Sequence, residues 1–150
     1  MTGTVTPMFL LTLPNSELAG VDLDRGDGDG GGDGDGATLV LRFAAAFGHR
    51  DDGVAGYLRP LALRFRDARW QGDAPALGVG GLAHGTLRVD GRPLGPTAYQ
   101  VPVPLPGSGD ATGEVVAELR LISGTALRIV ARRVEARVGA DAAFHESFAC

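Results

Sequence analysis

The sequence predicts an all-β protein, either a two-sheet antiparallel β-sandwich or a flattened β-barrel of about seven to nine strands with little helix. Three observations predict it. Apolar side chains recur at every second position through most of the ordered segments. The chain's 24 glycines and 9 prolines break those segments into short runs. The stretches with helix-favouring composition are short and run into glycine. A chain of 150 residues suits one domain, which we place at 1–150.

Taken in order, "MFLLTL" (Met8 to Leu13) is an apolar patch too short to span a bilayer, and it has neither a basic flank nor a small-residue cleavage site. "ELAGVDLD" precedes a run of alternating Gly and Asp, "RGDGDGGGDGDGA" (Arg25 to Ala37). As a calcium loop of EF-hand type starting at Asp27, that run puts Gly31 at the fifth position, where an oxygen ligand is required, and Thr38 at the twelfth, where a bidentate Glu is required. As a toxin-type β-roll repeat starting at Gly31, it has Gly36 where Asp is needed. Arg25-Gly26-Asp27 matches an adhesion tripeptide, which arises easily by chance in such an alternation. The expected role is a flexible hairpin connection at about 25–37, solvated and extended by like charges.

In "TLVLRF", Leu39, Leu41 and Phe43 face one way, with Val40 and Arg42 opposite. "RFAAAFGHR" is Ala-rich but too short for a convincing helix. "LALRFR" repeats the alternation with Leu61, Leu63 and Phe65, and in "DARWQGD" the inward parity moves to Ala68 and Trp70. "DAPALGVGGLAHG" holds one helical turn at most; its glycines point to turns and lack the βαβ frame of a dinucleotide site. "TLRVDG" places Leu87 and Val89 inward and ends on an Asp90-Gly91 turn, after which Pro93 limits any strand to a short or edge pairing. "VPVPLPGSGDATG" suggests an extended edge segment followed by an exposed loop. The strongest unit is "EVVAELRLISGTALRIVARRVEARV". There Val115, Ala117, Leu119 and Leu121 alternate with Glu118 and Arg120, and a Ser123-Gly124 turn leads to Leu127 and Ile129. Beyond Arg132-Arg133 the apolar parity slips to Val134, Ala136 and Val138, as a β-bulge produces.

Charge narrows the function classes. All 14 basic residues are Arg, against 18 acidic ones. Asp27, Asp29, Asp33 and Asp35 account for the net charge of −4, so the remainder of the chain is neutral. That balance gives no reason to expect nucleic acid or an anionic membrane as partner. Arg59, Arg64, Arg66, Arg69, Arg128, Arg132, Arg133 and Arg137 are expected to pair across strands with Glu118, Glu135 and Asp67. The single cysteine, Cys150, allows no internal disulfide, and a cytoplasmic location is expected.

Candidate chemistry is sparse. His49, His84 and His145, with Glu146 or Asp51, are the side chains able to ligate a metal, but no close His pair exists and only the fold could gather them. Tyr57, Trp70 and Tyr99 are the aromatic candidates for a ligand groove, although Trp70 at a strand end more often plugs a core. Ser108 and Ser147 lack the nucleophile-elbow context, and no cofactor is expected.

The order "NSEL", "LVLRF", "GYLRPLALRF", "GTLRVDG", "ELRLISGTALRI" and "FHESF", from about Asn15 to Phe148, resembles a group of small bacterial all-β domains. The resemblance implies the fold and brings no functional residue with it. The expectation is a non-enzymatic binding or interaction module, of immunity or accessory type, with a protein partner or a second copy of itself. The alternative is a small-ligand or metal-dependent β-barrel enzyme using His and carboxylate residues.

Overall fold

A computed structural model describes residues 8–24, 37–50, 53–72, 80–104 and 108–146. The strands, in chain order, are β1 (Met8–Thr12), β2 (Glu17–Asp24), β3 (Ala37–Arg50), β4 (Ala55–Gly72), β5 (Gly80–Val89), β6 (Arg92–Pro93), β7 (Gln100–Pro104), β8 (Ser108–Leu121) and β9 (Ala126–Glu146). The described residues contain no helix. The expected all-β class is what the chain adopts.

The strands form one continuous sheet, in the order β2-β5-β8-β9-β4-β3-β1-β7, and β2 also pairs with β3. That extra pairing closes β2, β5, β8, β9, β4 and β3 into an antiparallel barrel. What the pairing shows is a closed six-stranded antiparallel barrel with further strands attached. The seam is uneven. β2 pairs with β3 over most of its length, from Glu17↔Ala45 to Asp24↔Thr38, but with β5 only at Glu17↔Gly81 and Leu18↔Gly80.

Alternation makes the interior. Leu39, Leu41, Leu61, Leu63, Phe65 and Ile129 are almost completely buried, while residues between them, such as Arg42 and Arg128, are exposed. Each such aliphatic or aromatic side chain contributes about 1.5–3 kcal/mol by leaving water. Past Phe65 the inward positions become Ala68 and Trp70, and on β9 they pass from Ala131 to Val134. The register of β3 against β4 shifts between Ala37 and Leu39, and that of β8 against β9 shifts between Thr112 and Val115. The slip anticipated at Arg132-Arg133 is therefore shared by neighbouring strands, which bends them together and keeps each apolar set inside.

The turns follow their residues. Asp90 (φ 54°) and Gly91 (φ 80°) form the left-handed pair that links β5 to β6 with Val89 opposite Arg92. β6 then stops at Pro93. β8 and β9 form the expected hairpin around Ser123-Gly124, with the Leu121 amide donating to the Thr125 carbonyl at 2.8 Å.

Two readings of the sequence are corrected. Residues 108–113, taken as an exposed loop, are strand, paired with β9 from Ser108↔Arg137 to Thr112↔Arg133. The long β9 supplies a ladder for them, and Gly113 (φ 140°) takes the irregular position where the register shifts. The glycines of "GGLAHG" belong to β5 rather than to turns; Gly85 is buried because a Cβ there would lie 2.7 Å from Leu13. The Gly–Asp run, 25–36, lies outside the described residues.

Beyond the barrel, the ends of β3, β4 and β9 continue as a sheet extended by β1 and β7. Phe9 of β1 opposes Arg50, and Phe9 also opposes Val103 of β7. One face of this extension is packed: Phe9, Leu11, Ala46, Leu58, Val101 and Val103 are buried. Phe9 and Phe144 meet edge to face at 6.1 Å, and Arg50 lies 4.8 Å over the Phe144 ring. Gly48 and Gly56 are register partners here, and a Cβ on either would lie 2.7 Å from the Phe9 or the Phe144 ring respectively. At the outer end β7 carries Pro102 in the position opposite Leu10, which removes a donor from an edge strand.

Candidate functional site

Among the described residues, the side chains on the other face of the extension range from half-buried to exposed. Strand alternation brings Phe47, Tyr57 and His145 to it as direct register neighbours on β3, β4 and β9. Phe47 and Tyr57 contact each other with ring centroids 5.4 Å apart, and His49 sits edge-on to Phe47 at 6.0 Å. Tyr57 and Phe47 are half-buried and His145 is exposed. A row of aromatic and imidazole rings thus lies along this face of the sheet.

Farther along, Glu17 of β2 is the register partner of both Ala45 of β3 and Gly81 of β5, and Arg59 of β4 lines the same hollow. This is the short seam that closes the barrel. Ala45 and Gly81 present almost no side chain, so the surface sinks between Arg59 and the turn that follows β8. Ile122 in that turn is 75% exposed, and its amide donates to the Gly81 carbonyl at 2.9 Å. The result is an open groove of about 500 Å³. Tyr57, Leu82 and Ile122 supply its apolar walls, and Asn15, Glu17, Arg59 and His145 its polar rim. That volume falls in the range of small-molecule sites.

Its floor is fixed by Ser16, which is fully buried. The Ser16 hydroxyl donates to the Thr12 carbonyl at 2.7 Å and accepts from the Phe47 amide at 2.9 Å. The Asn15 amide donates to the Leu82 carbonyl at 3.1 Å, and the Leu82 amide to the Ser16 carbonyl at 2.8 Å. Asn15 itself has φ 77°, a conformation its short side chain tolerates, and it turns the chain into β2. These bonds tie β2 to β5 where the ladder between them is shortest. Charge is spread around the groove rather than paired. Glu17 on β2 and His145 on β9 are separated by three strand spacings, roughly 14 Å along the sheet.

The sequence-derived candidates scatter. Of the aromatics, only Tyr57 lines this groove. Trp70 is half-buried against the core opposite Ile129, and Tyr99 is 45% exposed, its carbonyl accepting from the Leu13 amide. Of the metal candidates, His145 lines the groove and His49 stands beyond Phe47. Glu146 faces Gly56 on the opposite side of the sheet from His145. His84 is on β5, beside Arg120, in a separate shallow groove of about 440 Å³ with Glu118 and Arg128. Among the described residues no three His, Cys, Asp or Glu side chains come together as a metal-binding group. Asn15, Glu17, Arg59 and Ile122 were not singled out as site residues by sequence. Only barrel closure brings them together; the one local signal is Ile122, an isoleucine in a turn.

The expected cross-strand pairs form in part. Arg128 pairs with Glu118 at 3.3 Å, and Arg66, Arg133 and Arg137 surround Glu135. No helix of the described residues is long and apolar enough to cross a membrane. Comparison with known protein families, curated proteins and solved structures returned no match.

Proposed function

We propose that the protein is a non-catalytic binding module, and that the groove at the barrel seam takes a small amphipathic molecule with an apolar, flat body and a carboxylate head. The observation that carries this reading is the combination of a half-buried to exposed ring row, Phe47–Tyr57–His145, with the exposed Arg59 two residues beyond Tyr57 on β4. A flat ligand stacks against Tyr57 and Ile122, where aromatic contact adds about 0.5–1.5 kcal/mol beyond the area buried. Its carboxylate reaches Arg59, whose planar fork donates to both carboxylate oxygens at once.

Binding is favoured over catalysis because the acid–base candidates are apart. Glu17 and His145 stand roughly 14 Å apart along the sheet, farther than the roughly 6.5–9.5 Å that separates an acid and a base acting on one glycosidic bond. They are placed to hold a ligand between them.

Calorimetric titration with phenylpropionate tests the reading. Saturable one-to-one binding is expected, weakened about tenfold or more in Arg59→Gln and in Tyr57→Ala. Absence of saturable binding by a panel of aromatic carboxylates, with the folded spectrum intact, would contradict it.

A further inference from the structure

A second surface stands out by its charge, and it is independent of the groove. On the outer face of the barrel, β4 and β9 present three successive register pairs: Ala62↔Arg137, Arg64↔Glu135 and Arg66↔Arg133. Four arginines therefore surround one glutamate. Glu135 is only 7% exposed, and three guanidiniums lie over it: Arg66 at 3.3 Å, Arg133 at 3.4 Å and Arg137 at 3.9 Å. The side chains of those arginines remain 43%, 43% and 54% exposed. The carboxylate is thus beneath and the positive groups are above it, facing solvent. Arg64 is half-buried beside them, and its Nε has no hydrogen-bond partner among the described residues.

Two other arginines of the barrel exterior are each matched by one carboxylate. Arg42 pairs with Asp22 at 2.6 Å and Arg128 with Glu118 at 3.3 Å. The cluster breaks that pattern. Arg66 and Arg133 are like charges directly opposite each other, an arrangement that destabilises a sheet when nothing offsets it. Glu135 neutralises one charge. Among the described residues, Arg64, Arg66 and Arg137 alone outnumber that carboxylate. The acid that is buried keeps the guanidiniums in place without cancelling them.

We infer that this face is a binding site for a tetrahedral oxyanion of phosphate or sulfate type, taken as the free ion or as a monoester headgroup. Its donors are the N–H groups of Arg64, Arg66, Arg133 and Arg137, spaced by strand geometry at about 5 Å across the pair and about 7 Å along each strand. That spacing lets two or three guanidiniums reach one dianion, each through charge-assisted hydrogen bonds. The described cluster contains no aromatic side chain, so it offers no stacking surface for a base, and the chemistry recognised is the oxyanion alone.

Titration of the intact protein with inorganic phosphate, sulfate and O-phosphoserine, followed by the arginine Nε–H resonances in NMR spectra, tests the inference. Saturable shifts at Arg64, Arg66, Arg133 and Arg137 are expected, with an apparent Kd of about 1 mM or tighter that weakens with added sodium chloride. Stronger binding of O-phosphoserine than of phosphate assigns a monoester; equal or weaker binding assigns the free ion. Arg66→Gln should weaken binding about tenfold, and Arg137→Gln, at a more exposed position, should weaken it in the same direction if Arg66→Gln does not fold. Arg42→Gln should leave it unchanged. Linear, unsaturated shifts for all three anions, or equal losses in Arg42→Gln and Arg66→Gln, would overturn the site.

Discussion

The barrel body and the sheet that projects from it are built from the same strands yet leave opposite surfaces. In the body, β4 sends Leu61, Leu63 and Phe65 inward, while Arg64 and Arg66 outside meet charged neighbours on β9. In the projection, the same β4 buries Leu58 on one face and shows Tyr57 on the other, between Phe47 and His145. The outer face changes from charged to aromatic within a few residues of one strand. A scaffold face needs only solubility; a half-buried to exposed row of rings beside a hollow is surface whose burial by a ligand would be favourable. On the proposed reading, the groove ligand is taken at the projection, while the body supplies the core and carries the arginine cluster on its charged face.

Substitutions in the two regions should therefore separate. Phe65→Ala removes a fully buried ring from the body and is expected to cost about 3–5 kcal/mol in chemical denaturation, with phenylpropionate binding retained wherever the variant remains folded. Ser16→Ala, at the seam between the regions, leaves the Phe47 amide without its acceptor and should cost about 1–2 kcal/mol, while loosening the groove floor enough to weaken ligand binding. Replacing Gly26 to Gly36 by a single Asn-Gly turn should change stability by about 1 kcal/mol or less, since β2 and β3 are already paired up to Asp24↔Thr38 and loop closure depends weakly on length. A large calcium-dependent thermal shift in the parent that this variant lacks would make the run a site in its own right. Tyr57→Leu should have the smallest effect on folding, about 0.5 kcal/mol, and among the largest on binding.

Much of the body was legible in the sequence because alternation is local. Leu61 to Phe65 and Val115 to Leu121 announce both their strand and their face, and the shift to Ala68 and Val134 announces the bulge. Residues 108–113 were not legible, because Gly and Asp in "SGDATG" carry no strand preference of their own; pairing with β9 imposes the conformation. The same holds for the Ala-rich "AAAF" of β3, which becomes strand because β4 lies beside it. At the groove, Tyr57 and His145 could be picked out as residue types, but their adjacency depends on the β4–β9 register. Arg59, Glu17, Gly81 and Ile122 meet only once β2 closes the barrel onto β5, a contact between segments more than sixty positions apart in the cases of Glu17 and Gly81. No local pattern encodes that meeting.

Chemical-shift mapping of the backbone amides during titration with phenylpropionate tests the central claim most directly. The account predicts saturable shifts centred on Ala45, Tyr57, Arg59, Gly81, Ile122 and His145, with the amides of Leu41, Leu63 and Ile129 unmoved. Shifts centred instead on the groove around His84, or spread evenly through the barrel, would contradict it.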